Sequence, residues 1–453
     1  MTFLLQVLII GLGLVIYYSR PKYIVYYWIS LYPIVLPLFC LGALVLDREL
    51  FYALEHATFT GGRNFFFLLV LLELLKKKEF PSLGRIFPFF FIIVLYLFIH
   101  AFLLHPNEMN IWPDVSELLS QLLPLIFFVQ RKDLLPPVNK VFKFICFIVV
   151  IQIICAILEL NGIHVYLTFF IPYIEDLGNG YLSVYEKAGI RGSFPGTAGF
   201  ANFVTTIFLF ISLEYFSKKR ISSLFYCILS VVFFLLILLS GVRACLALFM
   251  IIIFVGSSLF IKKNLSFFVV SVALLVFSSL FLLSLDPVVA RNLTPYDGIN
   301  RQLAGLTTYR QADNDSEMGT LFLSSYLIDN YWEKSPIIGN GLIYKGEYAY
   351  GSFSTVNLVN FRADSRLALI LVEYGIVGLL LYLLFFYSII NYLNRSLDRQ
   401  NRKKMLACYL FFLLVTIVDP GFFDRLCFPM LYVYALSVLY SSNQYPSAVK
   451  KCS

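Results

Sequence analysis

Uninterrupted apolar runs of about 20 residues recur from one end of the chain to the other, and they fix the fold class. A helix of that length crosses about 30 Å of hydrocarbon. The chain is 60% hydrophobic and 14% charged, against about 25% charged for a soluble domain. Its mean hydropathy is +0.82. A soluble globular fold is excluded. The expectation is an all-α polytopic integral membrane protein of about 12–14 transmembrane helices. Thirteen can be counted, roughly at residues 2–18, 23–46, 65–75, 86–104, 115–130, 141–160, 198–217, 221–240, 244–261, 265–285, 366–390, 405–418 and 426–441. The third run is short for a span. The first, "FLLQVLIIGLGLVIYY", lacks a basic lead and a small-residue cleavage site, so it reads as a retained helix and not a signal peptide.

The connections between runs alternate in charge. "SRPK", "KKKEFPSLGR", "RKDLLPPVNK", "SKKR", "KKN", "NYLNRSLDRQNRKKM" and the tail "SAVKKCS" are basic, whereas "HPNEMNIWPD" and "DPGFFD" are not. Lys and Arg collect on the cytoplasmic side. The pattern places the N-terminus outside and the C-terminus inside, and it accounts for the net charge of +8 without any nucleic-acid partner. Two long segments then face outward, residues 161–197 and 286–365, the second with six Lys/Arg and nine Asp/Glu. The chain divides into residues 1–285 with the first ten helices, the large extracytoplasmic loop 286–365 between the tenth and eleventh, and residues 366–453 with the last three helices and a cytoplasmic tail.

The eight cysteines show no C-x-x-C pair, and nearly all lie in apolar runs, so neither a disulfide framework nor a zinc site is indicated. The four histidines are scattered. "DNDSE", Asp313 to Glu317, has acidic spacing but no glycine at the sixth loop position and no distant glutamate, and reads as a solvated turn. No Walker motif, dinucleotide fingerprint or nucleophile elbow occurs. No cofactor is expected, and no metal site.

Of the arginines on the outer side, where the positive-inside rule works against them, five stand out. Arg191 lies in "EKAGIRGSFPGTAG", Arg243 in the tight hairpin "LLSGVRACLAL", Arg310 in "TTYRQADND", and Arg362 and Arg366 flank Asp364 in "RADSRLALILVEYGIVG". Ionisable residues at a membrane boundary are costly and mark sites. Arginine suits phosphate, because it stays charged and its planar fork binds two oxygens. For any one of them the alternative is a snorkelling side chain at the headgroup layer. Asp364 is a candidate general base, an ion-pair partner of Arg362 or Arg366, or the cap of the helix that follows. Glu373, Gln152 and Glu159 fall within apolar runs, so each needs a cavity or a partner; Glu159 also suits the outer end of its helix. Gly375 and Gly378 read as a close helix-packing pair.

These pieces together resemble the bacterial polysaccharide polymerase and ligase superfamily: the Wzy-type O-antigen and capsule polymerases and their relatives, the WaaL-type O-antigen ligases. The ligases carry His, then Asn/Ser/Gln, nine residues, Gly, two residues and Gly. Asp364, Ser365, nine residues, Gly375, Ile376, Val377 and Gly378 match that spacing, with aspartate where a ligase has histidine. "SGVRACLAL" is similar to the family's Ser-Gly-x-Arg hairpin, which implies that Arg243 lies near the lipid pyrophosphate. "NYWEKSPIIGNG" resembles the segment ending in Pro-x-x-Gly-x-Gly, with Pro336, Gly339 and Gly341, and "RGSFPGTAGFANF" resembles the arginine-led approach to a span. The resemblance covers roughly residues 190–390.

The resemblance implies a metal-independent glycosyltransferase of the bacterial cytoplasmic (inner) membrane, with its active site facing the periplasm or cell exterior. It would polymerise undecaprenyl-diphosphate-linked oligosaccharide units into O-antigen or capsular polysaccharide and release undecaprenyl diphosphate. Asp364, Arg243 and Arg191 would be catalytic. Arg310, Arg362, Arg366, Tyr344 and Tyr348 would bind substrate, with Tyr350 a further stacking candidate. The partners implied are the lipid-linked oligosaccharide, the lipid bilayer and a chain-length regulator protein. An O-antigen ligase is the same-chemistry alternative. A lipid-linked oligosaccharide flippase or other transporter is the different-class alternative, although no internal repeat of the transporter kind occurs.

Overall fold

The computed structural model describes residues 2–35, 48–77, 86–104, 112–160, 190–194, 197–218, 222–240, 242–259, 335–339, 366–394 and 399–418, with 430, 434 and 436–438. Every regular element among them is helical. In chain order they are α1 (Thr2–Ser19), α2 (Ile24–Ser30), α3 (Arg48–Lys77), α4 (Ile86–Leu104), α5 (Trp112–Gln130), α6 (Val138–Leu160), α7 (Thr197–Lys218), α8 (Ser223–Ser240), α9 (Arg243–Leu259), α10 (Arg366–Asn394) and α11 (Arg399–Val418). Among the described residues, four helices are long and apolar enough to cross a membrane, over Val138–Leu160, Gly199–Phe216, Ser223–Ser240 and Tyr374–Tyr392, and shorter apolar helices cover Gln6–Ser19, Ile86–His100 and Cys245–Phe254.

The described helices carry apolar side chains on their open faces. On α6, Phe147, Val150, Ile154 and Ile157 are exposed, while Val141, Ile145, Ile148, Gln152, Ala156 and Glu159 are buried on the other face. On α4, Phe91, Leu95, Phe98 and Phe102 are exposed. Water-facing proteins do not present such continuous apolar surface; lipid accepts it without cost. These features fit a polytopic membrane protein.

The third apolar run differs from expectation. Instead of a short span at residues 65–75, α3 is a 30-residue helix from Arg48 to Lys77. Its first half, "RELFYALEHATFTGG", is too polar to register as an apolar run, although its Arg, Glu, Leu and Ala residues favour helix. The runs expected at 265–285 and 426–441 lie wholly or mostly outside the described residues.

The chain forms two compact units. The first holds residues 1–72, 131–311 and 424–453. Its centre is α7, whose apolar window is buried all round. A helix apolar on every side has no solvent face and sits inside. α7 packs against α8 and α9 through rings: Phe208 stacks on Phe249 at 4.3 Å, and Tyr215 lies flat on Tyr226 at 4.0 Å. Several polar groups of α7 are hydrogen-bonded within the unit. Thr205 and Thr206 donate to the carbonyls of Ala201 and Asn202, and Glu214 accepts from Tyr434 Oη at 2.9 Å.

The second unit holds residues 73–130 and 312–423. In it α10 packs along α4 and α11, with Phe90 against Phe385 at 6.2 Å. α10 is not continuous. Gly375 has φ 64° and ψ −167°, which breaks the helix into two halves.

Candidate functional site

The turn carrying Arg191 belongs to the first unit, and α6 holds it. Gln152 and Glu159 stand seven residues apart, two helical turns, so they share one face of α6. The Glu159 carboxylate accepts from the backbone N–H groups of Arg191 at 2.7 Å and Gly192 at 3.1 Å. Gln152 Oε1 accepts from the Ser193 N–H at 2.9 Å, and its Nε2 donates to Ser193 Oγ at 2.6 Å. Ser193 Oγ in turn donates to the carbonyl of Pro33, which lies in the widened turn Leu31–Val35 that continues α2. Three successive amides are thus taken up by two side chains, a concave arrangement of backbone donors that suits a carboxylate. Gly192 is in the left-handed region at φ +58°, where an added Cβ would meet Gln152 Oε1 at 2.6 Å and the Phe200 ring at 2.7 Å.

Arg191 is 4% exposed, Glu159 6%, Ser193 2% and Gln152 fully buried. A snorkelling arginine would reach outward; Arg191 is buried.

The same segment is tied to the hairpin between α8 and α9. Ile190 N–H donates to the carbonyl of Leu239 at 2.9 Å. Ser240 closes the hairpin, donating from Oγ to Ile237 O at 2.6 Å and accepting from Val242 N–H at 3.4 Å. Arg243 is the first residue of α9, four residues after Leu239. Two residues on, Cys245 Sγ donates to Asn202 Oδ1 of α7 at 3.1 Å. The positions of Arg191 and Arg243, distant in sequence, therefore belong to turns joined by a backbone hydrogen bond.

Residues 198–383 match the O-antigen ligase family model. The match begins at the start of α7 and ends inside α10, so it takes in Arg243, Arg310, Asp364, Gly375 and Gly378 and stops short of Arg191. It supports the O-antigen ligase/polymerase superfamily, and with it a glycosyl-transfer type of membrane enzyme. No curated protein matches the chain.

Within the O-antigen ligase match, the Gly-x-x-Gly pair departs from the packing expectation. Gly378 packs as expected: a Cβ there would lie 3.4 Å from Tyr96 of α4, against Tyr374 of its own helix. Gly375 instead breaks the helix and receives the turn Ser335–Gly339, so that a Cβ would strike the carbonyl of Ile337. Spacing alone gave both glycines one role because a small residue serves close packing and positive φ alike.

The remaining sequence candidates are placed as follows. Arg366 is the first residue of α10; its side chain and those of Arg243 and Glu373 lie outside the described ones. Arg310, Arg362, Asp364, Tyr344, Tyr348 and Tyr350 lie outside the described residues altogether. His100 is one of the four scattered histidines, and its role does not show in the sequence. The available signal was its spacing from Tyr96, four residues and so one helical face.

Proposed function

We propose that the chain is a polymerase of undecaprenyl-diphosphate-linked oligosaccharide repeat units, acting at the outer face of the cytoplasmic membrane. The observation that carries this reading is the anchored turn of Arg191, joined through Ile190 and Leu239 to the hairpin of Arg243. Loop charge assigns both arginines to the outer side. There a diphosphate-linked sugar is the available activated donor, since no nucleotide is supplied outside.

In the proposed reaction, a sugar hydroxyl of one lipid-linked unit attacks the anomeric carbon of the growing chain on another. A carbon–oxygen bond forms, the bond to the diphosphate breaks, and undecaprenyl diphosphate leaves with the electron pair. The hydroxyl proton passes to Asp364 as general base. Charge gathers on the diphosphate as its bond breaks, and Arg191 and Arg243 stabilise it; one preorganised donor of this kind is worth about 3 kcal/mol. Preorganisation is what the Glu159 and Gln152 contacts supply to Arg191. Arg310, Arg362 and Arg366 would hold further phosphate or saccharide groups, and Tyr344 and Tyr348 would stack on sugars. A chain-length regulator is the protein partner this function calls for.

Asp364, where the ligase pattern has histidine, favours polymerase. The ligase alternative is favoured by the description of the matching family. Reconstitution separates the two. A polymerase needs only the lipid-linked unit as both donor and acceptor, and proteoliposomes given that substrate alone should make a ladder of longer saccharides. Product formed only after a lipid A acceptor is added would make the protein a ligase.

A further inference from the structure

The break in α10 has a specific occupant. In an unbroken helix the N–H groups of Ile376 and Val377 would donate four residues back. Here they donate to the carbonyls of Pro336 at 3.0 Å and Ile337 at 3.1 Å. The next carbonyl, Ile338 O, accepts from His100 Nε2 at 2.6 Å. A carbonyl has no proton to give, so Nε2 carries the hydrogen. Tyr96 Oη also approaches Ile338 O at 3.2 Å, but its single proton goes to Tyr374 O at 2.7 Å, the last carbonyl before the break. The turn closes on itself through Gly339 N–H to Ser335 O at 2.8 Å. His100 is 3% exposed and sits between the rings of Tyr96 and Tyr374, with centroids at 5.6 and 5.3 Å.

Three successive carbonyls of one short turn are thus taken up by two helices of the second unit. Irregular backbone docked on a helix needs its polar groups met by partners, and His100 supplies the donor that α10 cannot. The half-helix after Gly375 also spends its first free N–H groups on this turn, so they are not available to a phosphate.

We propose that His100 is a positioning residue: its Nε2–H locks the turn Ser335–Gly339 into the break of α10 and so holds that turn on the helix that begins at Arg366. The proposal rests on the polymerase reading for its functional consequence and on geometry for the lock itself. Removing the donor takes the shortest hydrogen bond from the Ile338 carbonyl and loosens the turn by about tenfold, which is about 1.4 kcal/mol.

The test uses the full-length protein in nanodiscs and in cells. Trypsin cleavage at Lys334–Ser335, mapped by mass spectrometry, reads the open population of the turn. His100→Phe keeps a ring and deletes the donor; His100→Gln restores an amide N–H. The expected result is about tenfold faster cleavage in His100→Phe with loss of long polymer at normal protein level, and recovery of both in His100→Gln. Should His100→Phe fail to accumulate, His100→Leu deletes the same donor with a smaller side chain and should raise cleavage in the same direction. Unchanged cleavage in the variant that accumulates overturns the lock. Raised cleavage with a wild-type polymer ladder overturns the positioning role. The protease readout does not depend on what the enzyme makes, so failure of the polymerase reading would be seen separately, as a wild-type protein that makes no polymer.

Discussion

Glu159→Ala tests most sharply whether α6 holds the arginine turn. The carboxylate accepts from two backbone amides and is 6% exposed. Its removal leaves both N–H groups buried without an acceptor, at about 1–3 kcal/mol each. Water entering the vacated space offsets part of this, and about 2 kcal/mol remains, enough to raise the fraction of molecules with a displaced turn about 30-fold. Glu159→Gln keeps one carbonyl oxygen at the same reach and loses only the charge, a change of about 1 kcal/mol. The assay is the surface-polysaccharide ladder of cells carrying each variant, with membrane protein level measured alongside. Alanine should shorten the polymer strongly at near-normal protein level, and glutamine should give an intermediate ladder. Equal ladders for alanine and wild type would refute the idea that the Glu159 contacts preorganise Arg191.

Arg243→Ala should abolish long polymer while single-repeat product still reaches the surface; wild-type length on a gel would remove Arg243 from the mechanism. Asp364→Asn should reduce polymerisation far more than Asp313→Asn at equal protein level, and equal behaviour of the two would exclude Asp364 as the base. Gly192→Ala forces a side chain into φ +58° against Gln152 and Phe200, and should cost at least about 1 kcal/mol, seen as lower thermal stability together with a shorter ladder. On the proposed mechanism, EDTA treatment of the reconstituted protein should leave polymer synthesis unchanged, because arginine and not a metal ion would offset the charge on the diphosphate; lost activity restored by a divalent cation would contradict this.

The helical, membrane-spanning character was legible in the sequence because it depends on local run length alone. The same local criterion failed at α3, whose polar first half forms helix without being an apolar run. Gln152 and Glu159 were legible as residues needing partners, but the partners come from a turn more than thirty residues away, which no spacing reveals. Gly375 was misread because its neighbour in space, Ile337, is 38 residues away in the chain. His100 carried no signal beyond its one-turn spacing from Tyr96, since the carbonyl it serves is 238 residues distant.

The central claim is that this protein joins repeat units rather than attaching or translocating them. The most direct measurement is the lipopolysaccharide ladder of the source bacterium after deletion of the gene. The account predicts lipid A core bearing a single repeat unit and no longer species, with the ladder restored by the wild-type gene. Complete loss of lipid A-linked O-polysaccharide, including the single-repeat band, would contradict it and point to a ligase or a flippase.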